Sequence, residues 1–502
     1  MTESTALERS VSAKNQLPKN WILMQLSDVR LDKSKVIIPN KMPSQSFELY
    51  SVPSFDAGEP EIKKGKEIGS SKLIVEEGTT LLCKINPRIN RVWNVGNHSP
   101  WLKIASTEWI PFFNREEIDS DYLCFFLSSP SFRNFLASNA SGVGGSLMRV
   151  KASTFSGYPF PLAPLSEQRR IAFRIKQIFK RLDLGVYNLG SIKAQLKRYR
   201  LSVLKHAFEG KLTEHWRSTH KDKIENATRF FEQITQHERT NEKSADRVSA
   251  ESLGRLPSGW LWARLGSLAR VMDVDHKMPK NVNEGLLFIS PKDFVHPDSI
   301  DFGHAKQISE QDFNRLSRKC KPETGDIIYS RIGARLGRAR KVPRGIEFQI
   351  SYSLCLVRPH SLLQETDFFY WLMKSPLIYE QALAKTRSIG VPDLGLGDIK
   401  SFLTPFPSMN EQFVIAELVE RYLSIADNVR RSIEYNLKKT EQLKQAVLKT
   451  SFEGGLVPQE ASDEPADLLL QRIRKAKPKK KIDEKTTRET VFVQRDLTGY
   501  VD

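Results

Sequence analysis

The sequence predicts an α+β protein built as a tandem duplication, in which each half is a variable domain followed by a long helix. Two echoes in the chain carry this prediction. PLAPLSEQRRIA at residues 161–172 returns 244 residues later as PFPSMNEQFVIA, and VLKHAFEGKL at residues 203–212 returns at the same offset as VLKTSFEGGL. Self-similarity at a fixed offset indicates repeated structural units. The constant length between the two echoes is typical of a spacer whose length matters more than its side chains.

A long helix is predicted between the two echoes of each copy. Apolar residues recur there at spacings of three and four, which place them on one helix face. Ser166 and Asn410 are predicted N-caps, and Gly210 and Gly454 are predicted stops. Each helix then measures about 60 Å. A stripe of that length needs a partner, so the two helices are predicted to pair as a coiled coil; the alternative is two ordinary core helices.

The duplication extends into the variable domains. Three further echoes match LPKNWILMQL with LPSGWLWARL, GTTLLCKINPRINR with GDIIYSRIGARLGR, and DYLCFFLSSP with DFFYWLMKSP. Each variable domain has about 145 residues, which is enough for a core of its own.

These motifs divide the chain into seven segments. They are an N-terminal arm (1–16), a first variable domain (17–160), a central helix region (161–217), a polar linker (218–255), a second variable domain (256–404), a distal helix region (405–458) and a tail (459–502). The linker is predicted to hold one short helix around residues 227–236. The tail runs from an acidic patch into RIRKAKPKKK and is predicted to be disordered, with nonspecific DNA contact as the alternative.

The composition favours a polyanionic partner. The net charge is +18 and the pI is about 9.5, so nucleic acid is preferred over the alternative of an ordinarily solvated basic surface. The four cysteines form no CxxC pair and are expected to be reduced core thiols. No apolar run is long enough for a membrane span, and the polar start MTESTALERS is unlike a signal peptide, so the expected location is the cytoplasm.

The order of these motifs resembles the specificity subunit of type I restriction-modification enzymes. The resemblance rests on EQ motifs that open long helices, FEG turns that end them, and LPxxW and GDI[IL] marks in the variable parts, and it covers residues 17–458. It implies two target recognition domains, each reading half of a split double-stranded DNA site, with the helices as a ruler between them. A fixed half-site spacing also requires a stiff connector on physical grounds. The resemblance further implies that two methyltransferase subunits dock on the helices and that motor-nuclease restriction subunits join later.

The same resemblance assigns docking or coiled-coil roles to residues of both helix regions. They are Glu167, Gln168, Ile171, Ile178, Leu189 and Phe208, and Glu411, Gln412, Ile415, Tyr422, Ile433 and Phe452. The second copy departs from the first where Phe413 and Val414 replace Arg169 and Arg170, so identical partner contacts are not expected. This chain is expected to bind no cofactor, while S-adenosylmethionine, ATP and magnesium are expected on partner subunits.

Candidate DNA-binding residues cluster where arginine and lysine are interleaved with glycine or asparagine. Glycine lets the backbone approach a phosphate, and arginine binds a phosphate or the edge of guanine. The alternative is a solvated basic turn. A nucleotide site at the glycines of SGVGGSLMRVKAS is rejected because no βαβ unit surrounds them. The candidates are Lys84, Arg88, Arg91, Arg149 and Lys151 in the first domain, and Arg331, Arg335, Arg338, Arg340 and Lys341 in the second.

No catalytic motif is expected to function in this chain. PDLGLGDIK at residues 392–400 resembles a compressed PD…DxK nuclease motif, but Asp393, Asp398 and Lys400 lie too close together for the usual placement of the carboxylates. His215 and His220 lack further partners for a metal site. Two alternatives to a non-catalytic specificity subunit therefore stay open: a single-chain nuclease with its own specificity domains, and a coiled-coil scaffold that binds DNA without sequence preference.

Overall fold

The structure is a computed structural model, and it describes residues 17–29, 35–141, 148–224, 227–237, 254–295, 298–363, 365–386 and 390–475. The chain forms two compact units. Unit 1 comprises residues 1–186 and 437–502, and unit 2 comprises residues 187–436. The predicted combination of sheets with two long helices is confirmed.

The first variable domain is built from small sheets and short helices. Its strands are β1 (Ile22–Gln25), β2 (Lys35–Ile37), β3 (Ser46–Tyr50), β4 (Glu61–Lys64), β5 (Lys72–Ile74), β6 (Thr80–Cys83), β7 (Val92–Asn94), β8 (Leu102–Ser106), β9 (Trp109–Phe112) and β10 (Pro159–Leu162). Its helices are α1 (Leu26–Val29), α2 (Val52–Phe55), α3 (Ser120–Leu127), α4 (Pro130–Ser138) and α5 (Ala152–Phe155). The sheets have the strand orders β2-β5-β8-β3-β4, β7-β6-β9 and β1-β10. Strands β3 and β8 run parallel, while β6 is antiparallel to both of its neighbours.

The first long helix is α6 (Leu165–Phe208), and it is followed by α7 (Glu214–Thr219) and α8 (Ala227–His237). Helix α8 confirms the short helix predicted in the linker. Helix α6 begins before Ser166, so this serine lies in the first turn and is not the N-cap; its hydroxyl donates to Asp463. The helix stops before Gly210, whose φ of 72° is the left-handed conformation expected of a glycine stop.

The second variable domain repeats the same kinds of element. Its strands are β11 (Leu261–Arg264), β12 (Ala269–Met272), β13 (Leu286–Ile289), β14 (Lys306–Ile308), β15 (Ile327–Ser330), β16 (Ala339–Lys341), β17 (Phe348–Ile350), β18 (Leu354–Pro359) and β19 (Leu403–Phe406). Its helices are α9 (Glu310–Ser317), α10 (Thr366–Met373), α11 (Pro376–Ala384) and α12 (Leu396–Lys400). The sheets have the strand orders β12-β18-β15-β16, β14-β13-β17 and β11-β19.

The second long helix is α13 (Met409–Phe452), which has 44 residues like α6. It starts before Asn410, so this predicted N-cap lies inside the helix, and its side chain donates to the carbonyl oxygen of Lys223. Gly454 ends the helix region with a φ of 79°.

The expectation of a disordered tail is wrong for its first part. Residues Ala466–Lys475 form helix α14, which buries Ala466, Leu469, Leu470 and Ile473. These residues recur at spacings of three, one and three, so they form an apolar face that can pack on the domain. Helix α8 buries Ala227, Phe231 and Ile234 in a similar pattern. The duplication therefore continues beyond the FEG turns, since each of them is followed by a short helix with a buried apolar face. The remainder of the basic run, at 476–481, lies outside the described residues.

The two long helices pack together in antiparallel directions. In unit 1, Lys444 Nζ lies 2.5 Å from Asp183 Oδ1, and in unit 2, Arg200 Nη1 lies 2.7 Å from Asp427 Oδ1. Asp427 and Lys444 follow Asp183 and Arg200 by the 244-residue offset of the repeat, so the two ion pairs are one contact made twice. The predicted stripe is only partly buried, since Val186, on its path, is 38% exposed.

In each unit the LPxxW motif packs directly on an FEG motif. In unit 1, Pro18 packs so closely on Gly454 that a Cβ there would lie 2.0 Å from the proline Cγ, and in unit 2, Pro257 packs in the same way on Gly210, at 2.3 Å. The strand after each LPxxW motif then pairs with the strand that precedes a long helix, β1 with β10 and β11 with β19. Each variable domain is thus fastened to the start of one long helix and the end of the other.

The cysteines are free thiols in this structure. Cys83, Cys320 and Cys355 are buried and Cys124 is half-buried. Burial raises the pKa of Cys320 to about 12, so its thiol stays protonated and unreactive near neutral pH. Across the described residues, the helices are all too short or too polar to cross a bilayer.

Candidate nucleic-acid interface

The same five-residue loop occurs in both variable domains. Loop 1 is residues 86–90 and follows β6; loop 2 is residues 333–337 and follows β15. In loop 1 the first and last residues are Asn86 and Asn90, with φ values of 49° and 52°, and in loop 2 they are Gly333 and Gly337, with 88° and 82°. Only glycine adopts this conformation freely, with asparagine the commonest substitute. The two loops therefore share a backbone shape although their sequences differ.

A second segment lies alongside each loop. In unit 1 the Asn86 amide donates to the carbonyl oxygen of Met148 at 2.9 Å, and in unit 2 the Gly333 amide donates to that of Pro392 at 2.8 Å. The structure thereby brings the predicted Arg149 segment next to the predicted Lys84 segment, since the Val150 amide also donates to the carbonyl oxygen of Lys84. The glycines of SGVGGSLMRVKAS, at residues 142, 144 and 145, lie outside the described residues.

The five first-domain candidates differ in how freely their side chains are presented. Arg88 and Lys151 are exposed and have no side-chain partner among the described residues. Arg149 is also exposed, with Nη2 at 3.0 Å from Glu108 Oε1. Lys84 and Arg91 are half-buried: Lys84 donates to the carbonyl oxygen of Thr107, and Arg91 Nε lies 3.5 Å from Asp56 Oδ1. Arg88 and Lys151 are thus the basic groups of this set that are freest to meet a ligand.

Arg331 in the second domain is not placed to contact DNA. It is 5% exposed, and its guanidinium donates to Asp273 Oδ2 at 3.2 Å and to the carbonyl oxygen of Leu394 at 3.3 Å. A buried arginine that has lost its hydration needs a fixed carboxylate, and Asp273 provides it. We correct the DNA-binding assignment of Arg331 to a structural one: it ties loop 2 to the neighbouring segment and to the end of β12.

The other four second-domain candidates range from buried to exposed. Arg340 is buried against the Phe294 ring and donates to the carbonyl oxygen of Ser299, so its DNA-binding assignment is also corrected to a structural one. Arg335 is half-buried, and its guanidinium donates to the carbonyl oxygens of residues 291 and 294. Lys341 is exposed but pairs with an aspartate of α10 at 2.7 Å. Arg338 is exposed, and none of the described residues pairs with its guanidinium.

Comparison with known proteins shows which proteins share this organisation. The chain is 24% identical over 362 residues to the EcoBI specificity subunit of Escherichia coli, covering 70% of each protein. It is 26% identical over 377 residues to the EcoKI specificity subunit of Escherichia coli strain K12, covering 71% of this chain and 72% of the relative. Both relatives are type I restriction enzyme specificity subunits. No family model matches the chain.

This chain is a homologue of type I specificity subunits. Solved structures show that the fold is shared as well. A chain from a structure on complex assembly and conformational transition of the type I R-M system superposes with a TM-score of 0.63 at 19% identity, covering 88% of this chain and 99% of that one. The HsdS subunit of Thermoanaerobacter tengcongensis superposes with a TM-score of 0.51 at 18% identity, covering 88% and 98%.

The EQ motif of this type I specificity subunit homologue turns inward. Glu411 and Gln412 of α13 are fully buried, and Glu411 accepts hydrogen bonds from the Trp260 indole at 2.8 Å, Thr213 at 2.6 Å and Arg217 at 2.5 Å. The matching pair in α6, Glu167 and Gln168, is buried too. We therefore correct the docking option for these four residues, because side chains enclosed in their own unit cannot reach a partner.

The remaining predicted docking or coiled-coil residues are also mostly enclosed. The structure buries Ile171, Phe208, Ile415 and Ile433 and half-buries Ile178, Leu189, Tyr422 and Phe452. Their exposure suits packing within the units better than contact with a partner. The departure at Phe413 and Val414 leaves Phe413 on the surface, 43% exposed.

The nuclease alternative is not favoured. Asp398 caps the start of α12 by accepting the Gly395 amide at 3.2 Å. Asp393 lies 3.5 Å from Arg331, on the segment that runs beside loop 2. The two carboxylates thus take part in local structure instead of sharing one site.

Sequence reasoning missed several residues that organise these sites. Arg133 of α4 donates to the carbonyl oxygen of Arg88, and the Asn90 side chain donates to that of Leu127, so α3 and α4 hold loop 1. In the repeat, Asn86 and Asn90 align with Gly333 and Gly337, and this match could have predicted left-handed residues at both positions. Nothing in the sequence near Arg133 points to loop 1.

Proposed function

We propose that this chain is the DNA sequence-specificity subunit of a type I restriction-modification complex and that it reads an asymmetric bipartite site, one half-site with each variable domain. The observation that carries the proposal is the repeated loop with left-handed residues at both ends. Loops 1 and 2 share a backbone shape but present their equivalent side chains differently: Arg88 and Ile89 are exposed, whereas Arg335 is half-buried and Leu336 is buried. Two equivalent reading elements with different chemistry suit two different half-sites.

We propose that the long helices act as the ruler between the half-sites. Each helix has 44 residues, about 66 Å of length. Equivalent ion pairs fix their register at Asp183 with Lys444 and at Arg200 with Asp427. A pair of helices locked in register is far stiffer than a flexible linker, and a fixed half-site spacing is a geometric property of such a connector.

We further propose that two methyltransferase subunits dock on the exposed apolar surface of the helices and that motor-nuclease restriction subunits join that complex. Tyr187 and Leu184 of α6 are 75% and 60% exposed, and Tyr435 of α13 is 64% exposed. Large apolar side chains in such numbers on a helix pair are typical of a protein-binding surface. These positions replace the buried EQ residues as candidates for the docking surface.

The chemistry is assigned to the partners. We infer that this chain carries no catalytic group and no cofactor of its own, and that S-adenosylmethionine, ATP and magnesium are bound by the other subunits in the cytoplasm. What supports this is the local structural use of Asp393 and Asp398, which were the carboxylates of the nuclease alternative.

The test is selection of duplexes from a random pool by this chain assembled with its methyltransferase subunits. We expect two short specified blocks separated by an unspecified gap of fixed length. Matched insertions of seven residues, after Lys193 in α6 and at the facing part of α13 between Asp427 and Lys444, preserve both ion pairs and lengthen the ruler by about 10 Å.

The insertion should widen the gap by about three base pairs and leave both blocks unchanged. Selection of no preferred sequence would support the nonspecific scaffold instead. An unchanged gap with altered blocks would contradict the ruler.

A further inference from the structure

Loop 1 is held in place from three directions. The Asn90 Nδ2 donates to the carbonyl oxygen of Leu127 at the end of α3 at 3.0 Å. Arg133 Nη2 of α4 donates to the carbonyl oxygen of Arg88 at 3.2 Å, and the Asn86 amide donates to the carbonyl oxygen of Met148 at 2.9 Å. With the left-handed residues at both ends and the loop's own bonds from the Ile89 and Asn90 amides, these three bonds fix the backbone of the loop.

The tip of this fixed loop presents two side chains to solvent. The Arg88 guanidinium pairs with no group among the described residues, and Ile89 is 51% exposed. A single exposed isoleucine is ordinary on a protein surface. Here it stands beside a free arginine on a loop that three hydrogen bonds keep rigid, and a rigid loop that holds both side chains away from the protein is arranged to contact something outside it.

The chemistry of the two side chains specifies what they can recognise on a duplex. Arginine forms a bidentate contact with O6 and N7 of guanine in the major groove, and an apolar side chain contacts the C5-methyl group of thymine. A pair of neighbouring residues on one loop reaches neighbouring base pairs, because base pairs are stacked about 3.4 Å apart.

Building on the proposed function, we propose that Arg88 and Ile89 are the base-reading pair of the first domain, with Arg88 on a guanine and Ile89 on the methyl group of a nearby thymine. Asn90 and Arg133 are positioning residues that hold the tip. Arg88 contacts a base in this arrangement, so it is distinguished from a residue that only grips phosphate.

Loop 2 shows that this tip is specific to the first domain. Arg335 is bonded to the carbonyl oxygens of Pro291 and Phe294, and Leu336 is 7% exposed. Both side chains at the equivalent tip are therefore occupied within unit 2. The half-site that the second domain reads should not depend on a guanine–thymine tip contact of this kind.

The experiment uses the assembled methyltransferase and the bipartite site obtained by selection. Each thymine of the first domain's half-site is replaced in turn by deoxyuridine, which lacks only the methyl group, and each guanine by 7-deazaguanine, which lacks the N7 acceptor. For the parent we expect one deoxyuridine to weaken binding about fourfold, the value of one buried methyl group. One 7-deazaguanine nearby should weaken it about tenfold.

The variants then assign each effect to a side chain. Ile89→Ala should abolish the response to deoxyuridine, and Arg88→Ala the response to 7-deazaguanine, with the second half-site unaffected. The matched control is Ile62→Ala, because Ile62 of β4 is equally exposed at 51% and lies outside the loop; it should keep both responses.

Asn90 tests the positioning role. Asn90→Ala loses both the side-chain bond and the tolerance of a left-handed backbone, whereas Asn90→Gly loses only the bond. Base discrimination at the guanine and thymine should fall most in the alanine variant and recover in part in the glycine variant. Equal loss in both, or none in either, would overturn the positioning role.

The inference and the proposed function fail in different ways. A selected bipartite site at which Arg88→Ala and Ile89→Ala keep both responses, or whose first half-site has no T·A pair, overturns the inference and leaves the function standing. Selection of no bipartite site overturns the function, and the inference with it.

Discussion

In each unit an ion pair joins a long helix to the segment that follows an FEG turn, but the positive and negative partners are exchanged between the two units. In unit 2 the carboxylate is on the long helix, at Glu411, and the cation comes from the segment after the FEG turn, at Arg217, 2.5 Å away. In unit 1 the cation is on the long helix, at Arg170, and the carboxylate comes from the segment after the FEG turn, at Asp463, 2.7 Å away. We call these junctions clasp 2 and clasp 1.

The reversal accounts for the loss of one of the two arginines after the EQ motif of the second copy. Val414 stands at the position of Arg170, because clasp 2 takes its cation from elsewhere. It also means that the segment of unit 1 does not fit the helix of unit 2, because Asp463 would meet Val414 in place of Arg170. A duplicated sequence has thus diverged so that its two junctions are not interchangeable.

The largest effect is expected from breaking clasp 2. Arg217→Ala leaves Glu411, which is fully buried, without its cation, and loss of one partner of a buried pair costs about 3–5 kcal/mol. Urea unfolding followed by hydrogen exchange of peptides from unit 2 measures this cost. Arg217→Lys, which keeps the charge, should recover part of it. Full stability of the alanine variant would show that the clasp does not hold the junction.

Alanine substitutions at Gly454 and Gly210 should destabilise the two units by similar amounts. The two junctions would then differ in their ion pairs and not in their glycine–proline contacts. Gly454→Ala and Gly210→Ala force a left-handed alanine against Pro18 and Pro257, and each should cost about 2–4 kcal/mol in its own unit. Gly185→Ala in the open middle of α6 is the control and should stabilise slightly. Thermal unfolding of the three variants tests this, and unequal losses at the two glycines would contradict it.

Breaking clasp 1 should cost less than breaking clasp 2. Asp463→Asn removes the nearer carboxylate partner of Arg170. Because the Arg170 side chain keeps Glu460 at 3.4 Å and is 27% exposed, we expect a loss of about 1–2 kcal/mol. Exchanging the charges with Arg170→Asp and Asp463→Arg together should restore more stability than the sum of the single changes predicts. A double-mutant cycle by urea unfolding measures the coupling, and additive losses would show that the pair is not coupled.

The smallest effect concerns Glu167, the counterpart of Glu411. No cation of the described residues forms an ion pair with its carboxylate, and burial raises its pKa above the ordinary value near 4.5. Such a group contributes stability below its unfolded pKa that is lost as the pH rises through the folded pKa. Glu167→Gln cannot ionise, so it should gain on the parent by less than about 1 kcal/mol as the pH is raised to neutrality. Melting curves across this range test it, and a constant difference would contradict it.

The sequence by itself determined the duplication, the two long helices and the short helix α8. These depend on periodic apolar spacing and on echoes at a fixed offset, which are local or repeated features that need no knowledge of distant contacts. The helix ends at Gly210 and Gly454 also follow from residue type, since glycine tolerates the left-handed turn that ends a helix. Asn86 and Asn90 carried the same information for loop 1.

Tertiary structure alone decided which basic residues are free. Arg331 and Arg338 belong to one arginine-rich stretch, yet Arg331 is bound by Asp273, 58 residues earlier in the chain, and Arg338 is exposed. Helix α14 and clasp 1 depend on contacts of still longer range, such as Ser166 with Asp463, 297 residues apart. A charged side chain is buried or exposed according to whether a distant partner offsets its lost hydration, and only the folded chain brings that partner near.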